Sequence, residues 1–220
     1  MVTPGSSLAD VGCDHGYLPI WLVQNGRITS AVAMDVRPGP LERAKTHIRE
    51  QGLDGRIGTR LSDGLKELPP GECDTLVIAG MGGPLMERIL EDGRGLLSSF
   101  REMILQPQSD IPHFRGWLVK NGFVITDEEM IREDGKYYTV IKTRPADEAE
   151  DLSEEELFFG PVLLKKKSPV LYDYLIWRRG ILDEITENIK GSNSARSEER
   201  RAGVRREQKL IGGVLAAWDL

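Results

Sequence analysis

A regular alternation of apolar, β-rich runs with amphipathic segments through the first 120 residues limits the fold of this chain more than any other feature. The runs that predict strands lie at 7–13, 28–36, 56–64, 73–83 and 101–108. The segments that predict helices lie at 17–26, 40–53, 84–93 and 111–122. Strands that alternate with such helices form parallel sheets. The sequence therefore predicts an α/β fold with helices on both faces of a mainly parallel sheet.

The predicted sheet ends differently from a dinucleotide-binding sheet. Residues 123–133 and 136–144 are two β-rich runs, and Asp134-Gly135 between them is a turn dipeptide that is typical of a β-hairpin. A dinucleotide-binding sheet generally ends in another crossover connection. We therefore expect a Rossmann-like sheet in which the parallel strands are followed by an antiparallel hairpin.

Charge divides the chain into three predicted parts. Residues 1–145, with 17 basic and 20 acidic side chains, form the predicted α/β domain. Residues 146–157 carry seven acidic side chains and no basic one, which is typical of a solvated linker. Residues 158–220 carry 12 basic and 8 acidic side chains, with apolar residues at near-heptad spacing. They predict a basic antiparallel helical hairpin, or coiled coil, with helices at 169–190 and 195–219 joined by a turn at 190–194.

Several features bear on location and on metal chemistry. The sequence has no run of eighteen apolar residues and no signal-peptide profile at its start, so we expect a cytoplasmic protein that does not bind membranes. Cys13 and Cys73 are expected to be buried, reduced thiols. Because the three histidines are scattered and form no Cys/His cluster, we expect no metal site.

Unusual residues gather at the predicted carboxyl ends of the strands, where α/β sheets bind their ligands. The motif "DVGCDHG" (10–16) begins like a nucleotide-binding glycine turn but has Asp14 where a dinucleotide fingerprint has its second glycine. A carboxylate there would repel a pyrophosphate at close range. S-adenosylmethionine has no phosphate, and its ammonium and sulfonium cations would be attracted to acidic side chains. The motif therefore favours a methyl donor over a nicotinamide or nucleotide cofactor.

The next strand ends carry matching residues. Asp35 follows the second strand and is expected to accept hydrogen bonds from both hydroxyls of a ribose. Ser62, Asp63 and Gly64 follow the third strand, and Asp63 is expected to accept from the exocyclic amine of adenine. A helix N-cap is the alternative for each acid taken alone. Together with "IAGMGG" (78–83), the four loops favour the methyl donor.

The motifs "DVGCDHGYLP", "MDV", "SDGL", "IAGMGG", "ILQPQ", "EDGKYY" and "FGP", in this order, resemble the bacterial tRNA (adenine-22-N1)-methyltransferases over nearly the whole chain. The resemblance implies a seven-strand class I methyltransferase fold with a C-terminal coiled coil, S-adenosylmethionine as donor and tRNA as acceptor. Family members place a helix before their first strand, whereas this sequence reaches its first motif after nine residues.

Three sets of site residues follow from the motifs and the resemblance. The residues expected to bind the cofactor are Asp10, Gly12, Asp14, His15, Gly16, Asp35, Val36, Ser62, Asp63, Gly64, Ala79, Gly80, Met81 and Gly82. Polar contacts to the donor or the reacting base are assigned to Asp14, His15 and Gln106. The residues expected to bind tRNA phosphates are Lys165, Lys166, Lys167, Arg178, Arg179, Arg200, Arg201, Arg205 and Arg206.

The chemistry expected at this site is methylation of a ring nitrogen. No Asn/Asp-Pro-Pro-aromatic motif follows the fourth strand, which argues against an exocyclic nitrogen, and neither cysteine is placed as a nucleophile. The resemblance implies N1 of adenine 22, in the D-arm of tRNA, as the target. We also expect a monomer with no obligate protein partner. The alternatives are a methyltransferase for another RNA site, a small molecule or a protein, and a non-catalytic RNA-binding module.

Overall fold

A seven-stranded sheet organises the computed structural model, which describes residues 1–146, 151–189 and 195–218. The strands are β1 (Ser6–Val11), β2 (Ile28–Asp35), β3 (Ile57–Leu61), β4 (Thr75–Met81), β5 (Glu102–Pro107), β6 (Phe123–Glu133) and β7 (Lys136–Pro145). Their order across the sheet is β3-β2-β1-β4-β5-β7-β6. The first five strands in this order are parallel, and β7 runs antiparallel to β5. The predicted fold class, with its antiparallel ending, is confirmed.

Nine helices lie within the described ranges. They are α1 (Tyr17–Gln24), α2 (Pro38–Glu50), α3 (Gly83–Asp92), α4 (Arg94–Leu97), α5 (Ile111–Lys120), α6 (Glu154–Phe159), α7 (Pro161–Lys165), α8 (Pro169–Ile189) and α9 (Ala195–Trp218). None of the described helices is long and apolar enough to cross a membrane. The short helices α4, α6 and α7 were not predicted from the sequence, because four to six residues are too few to show a helical period.

The strand order places the ligand-binding edge of the sheet. The chain passes outward from β1 through β2 to β3, and then returns to the other side of β1 with β4. Such a reversal leaves a crevice at the carboxyl ends of the central strands. The short loops after β1, β2, β3 and β4 all emerge at that edge, so they are brought together although they span about seventy residues of sequence.

The chain forms two compact units. The first comprises Met1–Glu129 and Tyr138–Asp151, and the second comprises Met130–Tyr137 and Leu152–Leu220. The tip of the β6–β7 hairpin therefore belongs with the C-terminal helices, a grouping that the charge pattern did not indicate. Residues 147–150 of the predicted linker and the predicted turn at 190–194 lie outside the described residues.

The first unit is built on buried apolar strands. Leu8, Ala31 and Ala33 of the central strands pack with apolar side chains of α1 and α2, and both cysteines are buried free thiols. Burial raises the pKa of the Cys13 thiol to about 12 and that of Cys73 to about 11, so both stay protonated at neutral pH. This agrees with the expectation that neither cysteine is a nucleophile.

The second unit has its own apolar core. Leu171, Leu175 and Leu182 of α8 are buried with apolar side chains of α9, such as Ile211 and Val214. Met130 from the hairpin tip and Phe159 of α6 join the same core. The near-heptad residues thus hold the two long helices to each other within one chain.

Candidate active site

An open cleft of about 570 Å³ lies at the carboxyl ends of β1 to β4 in the first unit. It is bordered by Val11, Gly12, Asp14, Asp35, Val36, Arg37, Ser62, Asp63, Gly64, Ala79, Gly80, Met81, Leu85, Arg88 and Ile89. Residues from all four predicted loops meet there. Asp10, His15, Gly16 and Gly82, which were also predicted to bind the cofactor, do not border the cleft.

The loop after β1 is a tight turn that brings backbone to the cleft. The Gly12 and Cys13 N–H groups both donate to the Met34 carbonyl, at 2.8 and 2.9 Å, which ties the loop to β2. Gly12 has a φ of +79°, and a Cβ built on it would lie 2.2 Å from the Met81 methyl carbon. The positive φ therefore favours a glycine at this position, and a Cβ there would also push the flexible end of the Met81 side chain aside.

Asp14 and His15 lie side by side in this loop. Asp14 has a φ of +48°, a left-handed conformation that Asp tolerates better than most residues. His15 Nε2 lies 3.6 Å from Asp14 Oδ2, and the imidazole stacks with the rings of Tyr17 and His47. His15 Nδ1 is buried and has no hydrogen-bond partner in the part of the chain that the structure describes. The predicted pair is therefore adjacent, with Asp14 at the cleft and His15 beside it.

Two carboxylates are buried at the ends of β1 and β2. Asp35 is 5% exposed, and its Oδ1 accepts a hydrogen bond from the Arg37 backbone N–H at 2.8 Å. Asp10 is 4% exposed, and burial, together with the nearby Asp35 charge, raises its pKa to about 7. Asp35 thus borders the cleft as an oriented acceptor, whereas Asp10 lies outside the ring of bordering residues.

The loop after β3 holds an exposed carboxylate between two cations. Asp63 Oδ2 accepts from Lys66 Nζ at 2.5 Å, and Asp63 Oδ1 lies 3.8 Å from an Arg88 guanidinium nitrogen. The hydrogen bond from Lys66 lowers the pKa of Asp63 below its ordinary value. The neighbouring Ser62 hydroxyl donates to the Gly64 carbonyl at 2.8 Å, which closes the turn. Asp63 is therefore ionised at neutral pH and held at the border of the cleft.

The loop after β4 is pinned from β5. The Gly80 N–H donates to Gln106 Oε1 at 2.9 Å, and Gln106 Nε2 donates to the Pro107 carbonyl at 3.3 Å. Gly80 has a φ of +76°, and a Cβ on Gly82 would lie 2.9 Å from Ser109 Oγ. The Gln106 amide is therefore engaged with backbone groups and sets the shape of the loop.

Five bordering residues were missed from the sequence: Val11, Arg37, Leu85, Arg88 and Ile89. The last three recur at spacings of three and one along α3, which begins directly after the loop of β4. A helix that starts at a ligand-binding edge presents one face of its first turns to the ligand. That spacing was the signal that could have identified them.

The predicted tRNA-binding residues lie in the second unit and differ in their surroundings. Lys165, Lys166 and Lys167 are exposed at the end of α7 and just after it, and Arg179, Arg200 and Arg205 are exposed on the two long helices. Arg178 instead forms a two-bonded ion pair with Glu207, at 2.6 and 2.9 Å, and Arg206 is paired with Glu154. The hydrogen bond to Glu207 raises the pKa of Arg178. Two of the predicted contacts are therefore engaged with carboxylates of the same unit.

The site is acidic where a dinucleotide site would bind phosphate. Carboxylates of Asp14, Asp35 and Asp63 border the cleft at three successive strand ends. No group of three His, Cys, Asp or Glu side chains among the described residues is placed to hold a metal ion. The three carboxylates, the strand order and the antiparallel ending of the sheet are those of a Rossmann-like class I methyltransferase.

Comparison with known proteins gives the particular family. The family model described as tRNA (adenine(22)-N(1))-methyltransferase matches residues 8–209. The tRNA (adenine(22)-N(1))-methyltransferase of Bacillus subtilis (strain 168) is 39% identical over 171 residues, which are 76% of this chain and 71% of that protein. The chain belongs to the tRNA (adenine(22)-N(1))-methyltransferase family, as the motifs predicted.

Solved structures agree with this assignment. Streptococcus pneumoniae Sp1610 in complex with S-adenosyl-L-methionine matches with a TM-score of 0.86 and 35% identity, over 98% of this chain and 94% of that one. The B. subtilis m1A22 tRNA methyltransferase TrmK matches with a TM-score of 0.84 and 31% identity, over 97% of this chain and 93% of that one. Both similarities extend over the sheet and the C-terminal helices.

Proposed function

We propose that the protein methylates N1 of adenine 22, in the D-arm of tRNA, with S-adenosylmethionine as the donor. The observation that carries the proposal is the cleft bordered by Asp14, Asp35 and Asp63, because these carboxylates suit a donor that has a cationic end, two ribose hydroxyls and an adenine amine but no phosphate. Membership of the family selects tRNA as the acceptor. Because bacterial tRNA is found in the cytoplasm, we expect the reaction to take place there.

Each carboxylate has a separate role in holding the donor. Asp35 is buried and oriented by the Arg37 N–H, so it is suited to accept from the two ribose hydroxyls. Asp63, held by Lys66, accepts from the adenine amine of the donor. Asp14 lies in the glycine turn and pairs with the donor's cationic end. The cofactor, when bound, supplies a methyl group that is activated by a positive sulfur.

The residues of the chain then align the two reactants and exclude water. Adenine N1 has an in-plane lone pair, so no base needs to remove a proton before attack. Orientation in a dry pocket is worth about 7–11 kcal/mol of the barrier. The small residue Gly80 leaves room for a flat base beside Met81, and Gln106 fixes that loop through the Gly80 N–H. Asp14 provides a polar contact where the product ring becomes positive, and His15 lies directly behind it, with its Nε2 3.6 Å from Asp14 Oδ2.

We propose that the second unit binds the tRNA phosphates and that the protein acts as a monomer. Its exposed cations, among them Lys165, Arg179, Arg200 and Arg205, offer a surface for phosphate contacts. The near-heptad residues Leu171, Leu175 and Leu182 of α8 are buried with apolar side chains of α9 of the same chain, so this seam needs no second copy to cover it. The target adenine has to leave the tRNA stack to reach a cleft at the sheet edge.

The test is to map the modified nucleoside. The protein is incubated with labelled donor and bacterial tRNA, and the product is copied by reverse transcriptase. Methylation of N1 blocks the Watson–Crick edge, so we expect a single stop at adenine 22 and none in a tRNA with guanine at that position. A stop elsewhere would assign another RNA site. Absence of labelled tRNA would favour a small molecule, a protein or a non-catalytic role.

A further inference from the structure

The second unit contains a cleft that the proposed reaction does not use. Its volume is about 390 Å³, and its border is formed by Arg132, Tyr137, Tyr172, Asp173, Ile176 and Trp177, which we call the aromatic cleft. The α8 members lie four positions apart in two adjacent pairs, so they share one face of the helix. The core residues Leu171 and Leu175 of α8 are fully buried.

Tyr137 and Trp177, which border the aromatic cleft, contact each other and the neighbouring Tyr174 without stacking in parallel. The Tyr137 ring centroid lies 5.2 Å from that of Tyr174, with 71° between the planes, and 5.4 Å from that of Trp177, with 38° between them. The Tyr174 and Trp177 centroids are 5.9 Å apart at 42°. Despite these contacts, Trp177 remains 45% exposed and Ile176 38% exposed, so part of each side chain is open to a ligand.

Charged groups of both signs border the same cleft. The Arg132 guanidinium carbon lies 5.6 Å from the Tyr137 ring centroid, within the range of a cation–π contact. Arg132 forms no ion pair with any residue that the structure describes, so its charge is available to a ligand. Asp173 adds an exposed carboxylate that can accept hydrogen bonds. The cleft thus combines an aromatic surface, a cation and an acceptor.

We propose that the aromatic cleft binds one unpaired nucleobase of the tRNA substrate, an inference that rests on the proposed function. The base stacks on the partly exposed Trp177 indole, and its N–H groups donate to the Asp173 carboxylate. The guanidinium of Arg132 pairs with the phosphate of the same nucleotide. Stacking on aromatic side chains is how proteins commonly hold unpaired bases, since every base has a π-face.

The groups that border the aromatic cleft suit a nucleobase better than an apolar segment of a protein partner. An apolar helix or strand would leave the Asp173 carboxylate and the Arg132 guanidinium without matching groups, which costs binding energy. A nucleotide has one group for each: a π-face, N–H donors and a phosphate. Every unpaired position of a tRNA presents this combination, and tRNA is the substrate of the proposed reaction.

The test compares two substitutions of Trp177 in the full chain. Trp177→Leu keeps an apolar side chain but removes the π-face, and Trp177→Phe keeps an aromatic ring. Equilibrium binding of tRNA is measured without donor, so that it reports on the cleft whether or not methyl transfer takes place. We expect Trp177→Leu to weaken tRNA affinity about tenfold and Trp177→Phe about threefold or less. Donor affinity, measured in parallel, should be unchanged, and the helical content of each variant by circular dichroism should match the wild type, which shows that the second unit is folded.

Ile131→Ala is the matched control, because Ile131 is 51% exposed on the hairpin tip but does not border the aromatic cleft. It should bind tRNA like the wild type. Asp173→Asn is a second test that leaves the apolar core intact, and it should weaken tRNA binding in the same direction. Wild-type affinity in Trp177→Leu and Asp173→Asn would overturn the inference and assign the cleft to another partner. The proposed function would still stand if the wild type methylated adenine 22.

Discussion

Single residues of the donor cleft differ most in how their carboxylates are held. Asp35 is buried and bonded to the Arg37 N–H, whereas Asp63 is exposed and bonded to Lys66. Asp10 is buried next to the Asp35 charge, and its pKa is raised to about 7. Acidic residues that look alike in the sequence therefore have different protonation and different exposure, and substitutions at each should have separable effects.

Asp35→Ala should weaken binding of S-adenosylmethionine at least tenfold. The proposed ribose contacts are two hydrogen bonds to a charged acceptor, each worth about 1.5–3 kcal/mol. Titration calorimetry of the variant and of the wild type measures the difference. Asp54→Ala, which removes an exposed carboxylate away from the cleft, is the control. Unchanged affinity in Asp35→Ala would show that Asp35 does not hold the ribose.

Asp10 should make the stability of the folded chain depend on pH. Its pKa is about 7 in the folded chain and 3.8 at its ordinary value, so between these pH values the folded chain holds a proton that the unfolded chain has released. The free energy of unfolding therefore falls as pH rises through this window, by about 1.4 kcal/mol per unit of pKa shift.

Asp10→Asn removes this contribution. Urea unfolding at pH 5 and at pH 8 should show that the variant gains stability relative to the wild type at the higher pH. The exposed Asp54→Asn is again the control. Parallel changes in the variant and the wild type would mean that Asp10 is already ionised at pH 5.

At the scale of helices and strands, the sequence predicted what has a clear period and missed what has none. The strands β1 to β5 and the helices α1, α2, α3 and α5 were predicted within a few residues. Each of these helices buries one apolar face, and the strands are mostly apolar runs, so both leave a clear pattern in the sequence. The site loops were predicted because parallel strands end at one edge. The α3 residues Arg88 and Ile89 were missed because the recognised motifs stop at the loop after β4, although their spacing from Leu85 places all three on one face of the helix that follows.

The two long helices α8 and α9, which we call the helical arm, should bind tRNA through cations that form no ion pair with the described residues. Arg200 and Arg205 are exposed on α9 and form no ion pair with the described residues, whereas Arg178 and Arg206 are paired with Glu207 and Glu154. The double variant Arg200→Gln with Arg205→Gln should lower tRNA affinity and reduce the slope of its salt dependence by about two. Donor affinity should not change.

Glu199→Gln is the matched control for the arm, because it changes one exposed charge of opposite sign on the same helix. It should leave tRNA affinity unchanged or raise it. Binding measured between about 50 and 200 mM salt separates the phosphate contribution from other contacts. If the double variant and the wild type have the same tRNA affinity and the same salt dependence, these arginines face solvent and do not contact tRNA.

The whole molecule is two units that share one hairpin. Met130 and Tyr137 at the hairpin tip pack with the apolar residues of the C-terminal helices, although β6 and β7 belong mainly to the first unit. The charge pattern could not predict this, because the tip is short and contains charged residues on both sides of its turn. The apolar contacts of Met130 and Tyr137 are what place the hairpin tip in the second unit.

A chain that ends at Asp151 should therefore be less soluble than the full protein. Removal of the C-terminal helices exposes Met130 and Tyr137, which are otherwise packed in the core of the second unit. Dye binding to exposed apolar surface and light scattering measure the effect. A truncated chain with Met130→Ser and Tyr137→Ser should be more soluble, with the same donor affinity. Equal behaviour of the two truncated chains would show that the tip does not depend on the helices.

The shared hairpin also bears on how such a protein can arise or be rebuilt. Following the backbone from start to finish, one passes from the first unit to the second, back again, and then to the second once more. Joining a helical arm to the end of an unrelated methyltransferase would supply only one of the two segments that this arm's core requires. A transplanted arm has to come with a hairpin whose tip carries the equivalents of Met130 and Tyr137. The hairpin tip and the C-terminal helices are therefore expected to be inherited, and exchanged, as a single module.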